Sequence, residues 1–107
     1  MTTNLLTKDL IKIFPKRYEM DGKPKNEVKI IAKFFTPDAQ ASWYAIEYDP
    51  EDRLFFGLAN LGDDQMAELG YFSLSELESL TGPFGPKVVR DRFFEGSLED
   101  VISFRKR

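Results

Sequence analysis

The sequence predicts an α+β domain, with a mostly antiparallel sheet of about five strands and helices packed mainly on one face. Three observations carry that expectation. Short stretches of period-two hydrophobicity recur between turn residues from residue 27 to residue 96, an apolar stripe at helical spacing opens the chain, and Ser-led capping signatures stand at Ser73 and Ser97. At 107 residues the chain is one domain, 1–107, long enough to bury about two thirds of its unfolded surface and too short for a second core.

The elements follow in order. Leu6, Leu10, Ile13 and Phe14 fall at i, i+4, i+7 and i+8, which predicts a helix over residues 3–14 that Pro15 ends. Residues 16–26, with Gly22 and Pro24, read as a loop. "EVKIIAKFFTP" then sets Val28, Ile30, Ala32 and Phe34 on one face of a first strand. In "SWYAIEY" a second strand puts Tyr44, Ile46 and Tyr48 on one face and Trp43, Ala45 and Glu47 on the other. Asp49-Pro50-Glu51-Asp52 has Asp at the first turn position and Pro at the second, where its fixed φ suits a type I turn, so "RLFFGLAN" returns as the other arm of a hairpin. A turn at Gly62-Asp63-Asp64 leads into a fourth strand in "MAELGYF".

Ser73-Leu74-Ser75-Glu76 fits a capping box, flanked by Phe72 and Leu77 as a hydrophobic staple, and predicts a helix that stops at Gly82 before Pro83. "KVVRDRFFEG" is a fifth strand that must carry charge on one face. The pattern from Ser97 to Asp100 caps a last short helix before the tail Arg105, Lys106, Arg107.

The chain is 42% hydrophobic and 31% charged with ten Phe, a composition that folds around an aromatic core. It contains neither Cys nor His. That removes disulfides, thiolate nucleophiles, His general bases and the usual zinc ligand sets, and leaves carboxylates, Lys, Ser, Thr and Tyr as chemical groups. The opening "MTTNLLTKDLIKIFP" is interrupted by Lys8, Asp9 and Lys12, so a signal peptide or membrane span is not expected and the cytoplasm is. Charge is uneven within the net −3. Residues 1–37 hold eight bases and four acids, 38–78 one base and ten acids, and 79–107 six bases and four acids.

Four ordered stretches, "LLTKDLIKIFPKRY", "FFTPDAQASWYAIEYDPEDRLFFGL", "ELGYFSLSELESL" and "VVRDRFFE", resemble the bacterial family known as domain of unknown function 2958. Nearly the whole length is covered. The resemblance implies a setting on plasmids, phages and integrating elements, and brings no catalytic or binding residue with it.

Several constellations compete as sites. Glu47 and Asp49, at i and i+2, could present two oxygens to a hard cation such as Mg²⁺, whereas Glu51 and Asp52 belong to a solvated turn. Glu27-Val28-Lys29 resembles half of a metal-dependent nuclease motif without its upstream Asp. In Arg90-Asp91-Arg92 one side of the strand needs an ionic partner, with Glu47 and Glu68 as candidates. Trp43, Tyr44, Tyr48, Tyr71 and Phe84 supply core or stacking surface. Lys23, Lys25, Lys29 and Lys33 form the basic stretch best suited to phosphates, and equally suited to protecting a strand edge.

The expected function is therefore a small non-enzymatic protein-interaction module, an accessory protein of a mobile genetic element, with a protein partner and no cofactor. Its expected binding residues are Trp43, Glu47, Tyr48, Asp49, Tyr71 and Arg90 on one side of the sheet. One alternative is a nucleic-acid-binding protein that uses Lys23 to Lys33, and a second is a carboxylate-dependent metal-binding hydrolase.

Overall fold

The computed structural model describes residues 5–37, 40–62, 67–80, 85 and 87–102. Helix α1 (Lys8–Ile13) begins where the Thr7 hydroxyl accepts the Leu10 amide at 3.1 Å, and it ends at Phe14, just before Pro15. A turn and a 3-10 helix (Lys25–Glu27) follow, then β1 (Ala32–Phe35), β2 (Ala41–Asp49), β3 (Leu54–Leu61) and β4 (Glu68–Ser73). Helix α2 (Leu74–Ser79), β5 (Val89–Asp91) and α3 (Leu98–Ile102) complete the described elements. All five strands join one antiparallel sheet in the order β4-β3-β2-β1-β5, so β4 and β5 are its edges.

Both capping signatures form, because each depends only on residues three apart. The Ser73 hydroxyl accepts the Glu76 amide at 3.0 Å and starts α2, with Phe72 and Leu77 both buried beside it. At α3 the box is reciprocal: the Ser97 amide donates to Asp100 Oδ2 at 2.8 Å and the Asp100 amide to Ser97 Oγ at 3.4 Å. Helix α2 ends at Ser79, earlier than expected; Gly82 and Pro83, the expected stop, lie outside the described residues, as do Asp63, Asp64, Phe84 and the tail from Arg105.

The sheet carries a core on each side. One cluster contains Leu5, Leu6 and Phe14 from around α1, Leu74 and Leu77 from α2, and Phe34, Trp43, Ala45, Tyr48, Phe55 and Phe72 from the strands. Phe55 has no exposed surface and lies against Phe14, Phe34, Tyr48 and Phe72, at centroid separations of 5.7, 5.3, 4.8 and 5.4 Å. The second cluster contains Tyr44, Ile46, Leu58 and Ala67 with Val28, Ile30 and, from α3, Leu98 and Val101. The sequence suggested helices packed mainly on one face; α1 and α2 lie on the first cluster's side and α3 covers the opposite one.

Two local irregularities explain this division. Val28 and Ile30 were expected to share a face with Ala32 and Phe34, but they lie in the second cluster, where the Ile30 amide donates to Gly96 O at 2.9 Å and the Leu98 amide to Val28 O at 2.7 Å. That short stretch pairs with the approach to α3 before the chain enters the sheet. In β2, Ala45 opposes Gly57 while Glu47 opposes Phe56, so Ile46 is an extra residue and the alternation inverts after it. Tyr48, expected beside Ile46, joins Trp43 and Ala45 instead, and Glu47 passes to the other face. Along α1 the stripe also departs from expectation: Ile13 is 63% exposed, and Ile11 packs against the core in its place.

Candidate functional site

Beyond the bulge, one row of the sheet reads Glu47, Phe56, Tyr71 across β2, β3 and β4, all on the face of the second cluster. Phe56 and Tyr71 rings touch at 5.2 Å. The turn after α1 lies over this row. Tyr48's amide donates to Pro15 O at 3.1 Å, and the Glu47 carboxylate, 2% exposed, accepts the Tyr18 amide on Oε1 and the Met20 amide on Oε2, both at 2.8 Å. Burying a carboxylate is unfavourable unless donors replace its water, and two backbone N–H groups do so here. They also hold Tyr18 at φ +70°, the left-handed region that a bulky side chain seldom adopts.

Arg17 sits at the rim of this arrangement. Its guanidinium carbon lies 4.9 Å from the Tyr71 ring centroid and 5.3 Å from that of Tyr18, while Nη1 reaches Asp49 Oδ2 at 3.4 Å and Asp52 Oδ2 at 3.2 Å. Tyr71 first, with Tyr18 and Asp49 behind it, keeps its pKa above the ordinary value against the opposing effect of burial. Asp49 has a second role, since its Oδ1 accepts the amides of Glu51 at 3.0 Å and Asp52 at 3.4 Å. Those bonds are the Asp-led turn that the sequence announced, closed by Arg53 at φ +52°.

The six expected binding residues therefore separate. Glu47, Asp49 and Tyr71 gather around the 17–20 turn. Trp43 and Tyr48 are buried in the opposite cluster, 6% and 5% exposed, as core side chains. Arg90, in β5 opposite Phe34, lies across the sheet from Tyr71, and its side chain forms no ion pair with Glu47 or Glu68. The carboxylate oxygens of Glu47 and Asp49 face N–H donors rather than one another, which fits a structural clasp better than a cation site. The basic stretch divides too. Lys23, Lys25 and Lys29 are exposed, whereas Lys33 is on an interior strand with Nζ 5.5 Å from the Tyr44 and Phe94 ring centroids and 6.0 Å from that of Phe35.

Sequence reading missed Arg17, Tyr18 and Met20. Their partners are 27 to 35 positions away, and no local pattern in "KRYEM" indicates them.

Tyr48 supplies a test of the opposite core. Burial pushes its phenol above the ordinary 10.0, and the nearby Arg53 guanidinium offsets only part of the shift. A raised folded-state value means that the native protein holds this proton more tightly than the unfolded chain. The resulting stability is complete below pH 10 and is lost as pH rises through the folded value. Urea midpoints measured from pH 8 to 11 should fall more steeply for the wild type than for Tyr48→Phe above pH 10.

No helix among the described residues is long and apolar enough to cross a membrane. Among known proteins, a family model described as a protein of unknown function (DUF2958) matches residues 5–103. No curated protein and no solved structure matches the chain.

Proposed function

The chain belongs to the DUF2958 family, and from that premise we propose that it is a non-enzymatic protein-interaction module, a cytoplasmic accessory protein of a mobile genetic element. Its partner is a protein that presents an extended segment of alternating apolar and basic residues. The observation that carries this reading is the edge strand β4. It pairs with β3 on one side only among the described residues, and Leu69 and Tyr71, which point to the same face, are 42% and 46% exposed. An edge of this kind accepts an added strand through its backbone while pockets for alternate side chains supply selectivity.

Charge selects the occupant. The segment that builds β2, β3, β4 and α2 holds ten acids and one base, with Glu51, Asp52, Glu68 and Glu76 all exposed. A second copy of β4 would bring like charges together, whereas Lys or Arg between apolar anchors is complemented. The carboxylates of Glu47 and Asp49, already occupied by N–H donors, support a binding role over catalysis.

The test is a pull-down at low salt with wild type and with the double variant Glu68→Lys, Leu69→Lys, whose side chains are exposed. Wild type should retain a basic protein that the variant loses and that salt releases. Equal retention by both, or capture of nothing, overturns the proposal.

A further inference from the structure

The opposite edge of the sheet carries the opposite charge. Residues 87–92 include Lys87, Arg90 and Arg92 against the single acid Asp91. Arg90 stands in β5 beside Phe34, which has no exposed surface, so its stem lies along the margin of the first cluster. Its Nε is shut off from water and has no acceptor, and no carboxylate bridges its guanidinium among the described residues. The neighbouring charge is Arg92, of the same sign; burial first and Arg92 second lower the Arg90 pKa.

Asp91 does not neutralise the pair. It is opposite Lys33 in the register, and its Oδ1 accepts the Phe93 amide at 2.9 Å. This bond fixes the turn that follows β5 and with it Phe93, whose side chain is 95% exposed. Two guanidinium groups with no counter-ion among the described residues and a fully exposed ring thus stand within four consecutive residues at a free edge.

We propose that Arg90, Arg92 and Phe93 form a binding site for single-stranded nucleic acid, with the two guanidinium groups on backbone phosphate and a base stacked on Phe93. Arginine matches the tetrahedral oxygens of phosphate through paired N–H donors, and an aromatic face accepts any base, so the site selects single strands without reading sequence. It is independent of the β4 surface, which lies at the far edge of the sheet.

The experiment is fluorescence anisotropy of a labelled oligothymidylate titrated with the intact protein at low salt, repeated with Arg92→Gln, Phe93→Ala, Glu95→Gln and Arg90→Gln. Arg92, Phe93 and Glu95 are exposed, so their variants should keep the wild-type circular dichroism and urea midpoint even where Arg90→Gln perturbs the core margin. Arg92→Gln should weaken binding and flatten the log–log salt dependence by about 0.7, the share of a single phosphate. Phe93→Ala should cost about tenfold in affinity, while Glu95→Gln, which removes a nearby negative charge, should strengthen binding.

Absence of saturable binding overturns the site, as does binding that Arg92→Gln and Phe93→Ala leave unchanged. Loss on Lys23→Gln, Lys25→Gln in place of these variants would assign the binding to the basic loop and overturn it equally. Inorganic phosphate and thymidine monophosphate serve as competitors. Competition by phosphate at the same concentration as the nucleotide, with no effect of Phe93→Ala, would make this a free-phosphate site and refute the nucleic-acid assignment.

Discussion

Gly57→Ala is expected to destabilise the domain by about 4 kcal/mol, a large fraction of the stability of a chain this size. A Cβ at position 57 would collide with the Tyr44 carbonyl oxygen and lie 2.9 Å from its carbon and 3.1 Å from Ala45 Cα. All three obstacles are backbone atoms of β2, so no rotamer change relieves the clash. β2 in turn is held by β1 on one side and β3 on the other, and the close approach lies directly beside the Ile46 bulge. Relief therefore requires breaking pairings at the centre of the sheet. Gly70 is the internal control. It is Gly57's partner in β4, and a Cβ there meets nothing within 4 Å. Gly70→Ala should change stability by less than about 1 kcal/mol, since only chain entropy is altered. Urea unfolding followed by far-UV circular dichroism separates the two; equal midpoints would show that the strands can part at the bulge without penalty.

The same bulge marks the limit of what the sequence disclosed. Features set by residues three or four apart were legible: the Ser73 and Ser97 caps, the Asp49 turn, the hairpin it closes and the end of the first helix before Pro15. Strand number and antiparallel pairing were legible as well, because each strand is short and bounded by turn chemistry. What failed was the assignment of faces. Period-two reasoning assumes an uninterrupted pleat, and one inserted residue at Ile46 exchanged the roles of Glu47 and Tyr48. The change of side between Ile30 and Ala32 has a different origin, since Ile30 bonds to Gly96 and Val28 to Leu98, partners that no local pattern names. The six residues expected to converge on one side of the sheet are divided between its two faces and its two edges. The sequence presents Glu47 as a candidate cation ligand or partner of Arg90, whereas its partners are the Tyr18 and Met20 amides, which carry no signature in a sequence.

Glu47→Ala is expected to cost about 3 kcal/mol, because it leaves the part-buried Tyr18 and Met20 amides without their acceptors, and each donor left unsatisfied costs about 1 to 3 kcal/mol. Glu47→Gln should cost about 2 kcal/mol, since its one oxygen retains one amide but its NH₂ then faces the other N–H, donor against donor. The loss should appear locally before it appears globally. The 17–20 turn has other tethers, the Tyr48-to-Pro15 bond and the Arg17 ion pairs, and the latter are about a third exposed on the arginine side and correspondingly weak. With Glu47 gone, only these weaker tethers oppose the strain of Tyr18 at φ +70°, so the turn should lift from Phe56 and Tyr71 while the sheet persists. Amide hydrogen exchange would then show Tyr18 and Met20 exchanging about a hundredfold faster with Phe34 and Phe55 still protected, accompanied by increased binding of an apolar dye to the uncovered ring row. Protection unchanged at Tyr18 and Met20 in Glu47→Ala would mean that the carboxylate does not hold the turn. A clasp whose failure bares Phe56 and Tyr71 beside the β4 edge also couples the turn to that edge: the charge that closes the turn decides how much apolar surface lies open beside the edge strand.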